Sequence, residues 1–261
     1  MPEQILQKPF SPWQTFRKTW EIIITNWFNL IAIIFLALII LSLVILIVTS
    51  AWSPLWVIGV IKTDYIFTFR LIWQAVTLII LFIISALIQI LMINSLLNPQ
   101  LNLKGNLRLI KNYFWQFLLL MIILNILLLL AALPIYVGVF FLLLQSYFLG
   151  ILSLLISFIL IIFLSIYLIF SPFILIENKL SWHEAMLKSL ALSQGYFGNL
   201  FLKIAILVII LVGLNYLSIF FLTWGLIGLI LSGLFTIAMI IFAFPYLLAL
   251  YQEMKSLKQT A

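Results

Sequence analysis

The chain has 261 residues, 67% of them hydrophobic and 7% charged, and a mean hydropathy of +1.36. Such a composition excludes a domain folded around a water-soluble core and places the chain in lipid. The net charge of +7 has no soluble basic domain to carry it, so it implies membrane topology and attraction to anionic headgroups, not nucleic-acid binding.

The absence of cysteine excludes disulfides, thiolate metal sites, cysteine nucleophiles and palmitoylation. A helical span needs about 20 apolar residues to cross roughly 30 Å of hydrocarbon. Six runs are long enough: 28–50, 71–97, 113–133, 148–170, 197–220 and 225–249. None alternates as a lipid-facing barrel strand does. The expectation is an all-α integral membrane protein, one membrane domain over 1–261 with six transmembrane helices.

In chain order, Ser11 is placed to cap a helix with Pro12 at its first position and Phe16, Trp20 and Ile23 on one side. This predicts an interfacial helix at 11–25 whose Arg17 and Lys18 meet anionic headgroups. No cleavable signal peptide is expected, since the first apolar run is long enough to remain as an anchor. Gln89, Asn94, Asn125 and Asn215 are amides within or at the ends of spans, with Ser153, Ser157 and Ser165 as further polar groups. Such groups either bond one helix to another or line a polar path. Pro134, Pro172 and Pro245 are candidate hinges, because a proline inside a helix removes one hydrogen bond.

Residues 135–147 are too few to cross and are expected as an interfacial or re-entrant piece. Lys203, some six residues into the fifth span, is expected to snorkel back to the surface. Gly225, Gly228, Ser232 and Gly233 give the sixth span a small face for close packing. The middle of every span lacks Asp, Glu, Lys, Arg and His, the groups that usually carry coupled ion transport.

Residues 170–200 gather the polar chemistry. Ser181 and Glu184 have the spacing of a capping box, which predicts a helix over 181–194. Trp182, Met186 and Leu190 recur at four-residue spacing with Ala185 beside them, while Glu184 and Lys188 form an i, i+4 pair on another face. This predicts an amphipathic helix on the cytoplasmic membrane surface, with Ser181, Trp182, Glu184, Met186 and Lys188 as the candidate interface for lipid or a protein partner. Gly195 and Gly198 then allow the turn into the fifth span.

His183 is the only histidine, so a zinc site lacks its ligands. As a base it would need an acid, and Glu184 is taken by the cap. No nucleophile elbow, phosphate-cradling glycine loop or carboxylate pair is present. No enzyme, metal or cofactor is expected.

With the N-terminus inside, eleven of the thirteen cations fall on inner segments and only Lys62 and Arg70 outside, which predicts both termini in the cytoplasm. The tryptophans agree: Trp13, Trp20, Trp27, Trp115 and Trp182 lie at inner boundaries, and Trp52, Trp56, Trp73 and Trp224 at outer ones. Asn26-Trp27-Phe28, Asn112-Tyr113-Phe114 and Gly195-Tyr196-Phe197 each precede an odd-numbered span, at spacings of 86 and 83 residues. A shift of 170 also pairs Ser11 with Ser181, Lys18 with Lys188 and Asn29 with Asn199. These echoes suggest three hairpin units, each preceded by a cytoplasmic interfacial segment.

Pro172, Glu177, Ala185, Lys188 and Ser189, set after the fourth of six spans, give the chain a resemblance to bacterial multi-pass proteins related to the membrane domain of some glycerophosphoryl diester phosphodiesterases. The catalytic barrel of those enzymes has no counterpart here, so the resemblance implies a membrane module without their catalytic residues. The Glu-Ala helix between the fourth and fifth spans also resembles the loop by which permease subunits dock an ATPase. That motif has a second alanine and a glycine where this chain has Met186 and Lys188.

Together these readings predict a non-enzymatic scaffold or lipid-interacting protein of the bacterial cytoplasmic membrane, with a permease-like transport or export subunit as the alternative. The topology is open to test by single cysteines. At Ser53 or Thr223 they should react with an impermeant reagent from outside, and at Asn106 or Ser193 they should not. External labelling at Asn106 would overturn the arrangement with both ends inside.

Overall fold

A computed structural model describes residues 9–57, 63–100 and 103–259; the side chains of 45–57, 63–71, 103, 104, 108, 109, 226 and 229 lie outside that description. Lys8, Trp52, Ser53, Trp56, Lys62, Arg70, Lys104 and Arg108, which entered the topology argument, are among the residues so excluded. The described residues form eight helices and no strand: α1 Pro12–Val57, α2 Thr63–Leu97, α3 Leu103–Leu143, α4 Tyr147–Leu168, α5 Ser171–Asn178, α6 Trp182–Ser193, α7 Phe197–Leu222 and α8 Gly225–Gln259. Six segments are long and apolar enough to cross a membrane: Pro12–Val44, Ile72–Leu97, Ile110–Leu143, Tyr147–Asn178, Phe197–Leu222 and Ile230–Gln259. The chain is a multi-pass, all-helical membrane protein, as its unbroken apolar runs require when every backbone N–H and C=O must be paired internally.

Two local expectations are corrected. The helix expected at 11–25 is not separate from the first span, because α1 runs through Asn26-Trp27-Phe28 without a break. No glycine or proline occurs between Trp13 and Ser53, and ending a helix there would strand its last carbonyls. Residues 135–147 do not form a separate piece, since α3 continues through Pro134 to Leu143 and α4 begins at Tyr147. The hinge candidates also divide. Pro134 and Pro245 lie inside continuous helices, whereas Pro172 sits in the first turn of α5, just after α4 ends.

The tertiary contacts gather into two compact units. In the unit from Asn26 to Phe114, Leu30, Ile33, Ala86, Ile90, Met92 and Ile93 are buried. An amide chain joins α2 to α3: Asn98 Nδ2 donates to Asn94 Oδ1 at 3.0 Å, and Asn94 Nδ2 to Asn106 Oδ1 at 2.8 Å. Asn106 and Ser193 are both buried, so a cysteine at either would be silent for want of access; exposed Gln194 is the better inner reporter.

The other unit joins the chain up to Thr25 with everything from Trp115 on. Here α7 and α8 form a close hairpin, with the Ser218 and Ser232 hydroxyls 2.8 Å apart and Phe221 stacked on Phe235. The end of α8 is the hub. Phe16 of α1 packs on Phe242 and Tyr246, and Phe170 and Phe173 pack on Tyr251. Between α3 and α4, the Ser157 hydroxyl donates to the Ala131 carbonyl at 2.6 Å.

Two glycines let these helices approach. A Cβ at Gly138 would lie 2.9 Å from the Gly150 carbonyl oxygen, and one at Gly150 would lie 2.6 Å from Leu142 Cγ. Gly138→Ala and Gly150→Ala should each destabilise by about 1–3 kcal/mol, as overpacking does. Gly213→Ala, whose Cβ meets nothing within 4 Å, should be neutral or stabilising. Thermal unfolding in detergent checks this; equal behaviour of all three would show that α3 and α4 do not pack there.

Candidate functional site

The site is built where α4 stops. The last carbonyls of a helix have no partners within it, and three serines supply them here. Ser171 donates to the Leu168 carbonyl at 2.8 Å, Ser189 to Tyr167 at 2.7 Å and Ser193 to Ile166 at 3.3 Å. Ser189 and Ser193 belong to α6 and its buried face, together with Ala185.

These residues are the face by which α6 seats on the rest of the protein. α6 is seated by its small, hydroxyl-bearing side; Trp182 and Met186 are half-buried and Leu190 is exposed. Small residues let the helix come close enough for the hydroxyls to reach backbone oxygens, which a Trp-Met-Leu stripe would prevent.

The start of α6 is fixed as well. The Ser181 hydroxyl accepts from the Glu184 N–H while the Glu184 carboxylate accepts from the Ser181 N–H at 3.1 Å, closing the reciprocal box. These hydrogen bonds from the Ser181 backbone and hydroxyl hold the exposed Glu184 carboxyl below its ordinary range. The Trp182 N–H donates to Gln116 Oε1 of α3 at 3.3 Å. Gly195, at φ +89°, makes the turn to α7 in a conformation open to glycine; Gly198 lies within α7.

A buried ion pair lies at the hub. Lys203 Nζ meets Glu253 Oε1 at 2.5 Å, and each residue is 1% exposed. The same carboxylate oxygen accepts from the Phe10 N–H at 2.8 Å, and Tyr246 donates its hydroxyl to the Lys203 carbonyl at 3.0 Å. Lys203 therefore does not snorkel: a carboxylate 50 residues later in the chain meets it inside the protein.

Beside the hub, Glu177 of α5 accepts from the Tyr251 hydroxyl and pairs with Lys255 at 2.7 Å. An open pocket of about 360 Å³ lies among α5, α6 and α8. Lys188, Lys255, Lys258, Tyr251 and Asn178 supply its polar lining, and Ile174, Ala191 and Leu192 its apolar wall.

The other sequence candidates are dispersed. Asn125 donates to the carbonyl of Met121 in its own helix at 2.8 Å, and both it and Asn215 are exposed. Gln89 is half-buried on α2. His183 is exposed, with its ring edge-on to Trp182. Glu253, Tyr246, Tyr251 and Lys258 had no local signal in the sequence, because each is brought to its partner by the return of α8.

No protein-family model, no curated protein and no solved structure matches the chain.

Removing one partner of a buried pair leaves an uncompensated charge, at a cost of about 3–5 kcal/mol. Lys203→Met should show that loss in thermal unfolding, and adding Glu253→Gln should restore much of it. Arg17→Gln, at the exposed pair with Glu21, should cost less than about 1 kcal/mol. A Lys203→Met variant as mild as Arg17→Gln would refute the buried pair.

Proposed function

We propose that this protein is a non-enzymatic scaffold that works through contact with lipid, in a bacterial cytoplasmic membrane with both termini inside. The observation that carries this reading is the fastening of α6. Its serines are tied to α4 and its first N–H to α3, while Leu187 and Lys188 stay exposed. A helix so held is a fixed platform, suited to presenting a surface.

The residues that carry the resemblance to phosphodiesterase membrane domains support the same reading. Pro172 and Glu177 lie in α5, and Ala185, Lys188 and Ser189 in α6, so they fall on this platform. One observation favours the permease-like alternative: Leu187 and Leu190 are exposed next to Glu184 and Lys188, a mixed surface that a protein partner can use. Against it, the deep amide Asn125 bonds its own backbone and does not join another helix along a path.

Vesicles containing the protein should carry no proton or ion flux above protein-free vesicles. Asn125→Leu, Asn215→Leu and His183→Gln should all leave lipid association unchanged. A flux abolished by Asn125→Leu or Asn215→Leu at unchanged thermal stability would overturn the scaffold reading in favour of transport.

A further inference from the structure

We propose that the pocket among α5, α6 and α8 is a binding site for the headgroup of an anionic phospholipid. This rests on the lipid-contact reading above and names its site and ligand class.

Charge comes first. Three ammonium groups, of Lys188, Lys255 and Lys258, line one opening. Lys255 is partly neutralised by Glu177. Among the described residues, Lys188 and Lys258 have no carboxylate within ion-pair distance; Lys258 has only the Tyr196 ring, 5.9 Å from its nitrogen. Lys188 keeps a longer-range attraction to exposed Glu184 one turn before it, so the cations outnumber the acids at the opening, and their complement is an anion.

Shape then narrows the anion. The volume of about 360 Å³ lies in the range of sites that enclose small ligands, about 300–1,000 Å³. A free phosphate would leave the wall of Ile174, Ala191 and Leu192 without a matching surface. An amphiphile uses both linings, with its phosphate on the lysines and its glycerol and first methylenes on the wall.

Position agrees with chemistry. α5 and the end of α8 close two of the membrane-crossing segments, Tyr147–Asn178 and Ile230–Gln259, so the pocket opens where spans give way to headgroups. The carboxylate next to it is already held by Tyr251 and Lys255, which leaves the lysine edge free for an external anion.

The test uses the full chain in neutral detergent, with bound dioleoyl phosphatidylglycerol and dioleoyl phosphatidylcholine counted by native mass spectrometry. The wild type should prefer phosphatidylglycerol. Lys188→Gln with Lys258→Gln should weaken that lipid on the order of 30-fold, from about 1 kcal/mol per lysine, and remove the preference. Leu192→Trp, which fills the pocket while keeping the lysines, should also lose it. Lys188→Arg with Lys258→Arg should retain it. Lys179→Gln with Arg17→Gln, an equal charge change outside the pocket, should shift binding by no more than about twofold.

Thermal unfolding of each variant separates lost binding from lost folding. Equal weakening by the outside pair would overturn the proposal in favour of general leaflet attraction. Displacement by excess inorganic phosphate or by polyglutamate would overturn it in favour of a free anion or an acidic protein partner. A preference for phosphatidylglycerol indifferent to all pocket variants would refute the pocket alone. No preference in the wild type would refute the lipid reading with it.

Discussion

Carbonyl groups freed at the end of a helix must find donors, and away from bulk water only the protein can supply them. The break after Leu168 places that demand at the junction of α4 and α5, and three serine hydroxyls meet it. Two of those serines are on α6, so satisfying the break also seats the helix. The position of α6 in turn fixes where Lys188, Ala191 and Leu192 stand against α5 and α8, and hence where the pocket opens. A local backbone requirement thus becomes the placement of a surface.

The buried pair acts on the other side of the same unit. A pair of this kind adds little net stability over a well-packed apolar replacement, but breaking it is costly. Its consequence is register. Glu253 Oε1 receives both the Lys203 ammonium and the Phe10 N–H, and only one alignment of the start of the chain, α7 and α8 brings all three together. A slip of one turn, about 5.4 Å, would strand a charge, so the helices are held where Tyr246 also reaches the Lys203 carbonyl.

What was legible in the sequence follows from the range of each interaction. The spans are written as contiguous apolar runs, and the Ser181–Glu184 box is local, three residues across, so both could be read directly. The ties of Ser189 and Ser193 reach back 22 and 27 residues, and that of Lys203 forward 50, with no periodicity to announce them. The face by which α6 seats on α4 was silent for a related reason: hydrophobicity marks Trp182, Met186 and Leu190, but close approach selects Ala185, Ser189 and Ser193, whose small size carries little hydropathic signal. Continuity misled as well. A polar-aromatic triplet such as Asn26-Trp27-Phe28 marks a boundary in composition without breaking the backbone, so α1 passes through it.

The distribution of charge explains why the surface remains basic after folding. Each glutamate whose side chain is described is engaged: Glu21 with Arg17, Glu177 with Tyr251 and Lys255, Glu184 in the α6 cap and Glu253 with Lys203 and Phe10. The acids therefore serve the architecture. Lys111, Lys179, Lys188 and Lys258 are exposed and, among the described residues, lie within salt-bridge distance of none of them. Among the described residues the acids are taken up in ion pairs, hydrogen bonds and a cap, while these lysines stay exposed and open to an external anion. Most such lysines sit singly, where water and salt screen them within roughly 8–10 Å. Lys188 and Lys258 differ because α6 and α8 hold them at one opening with an apolar wall behind, where their fields add.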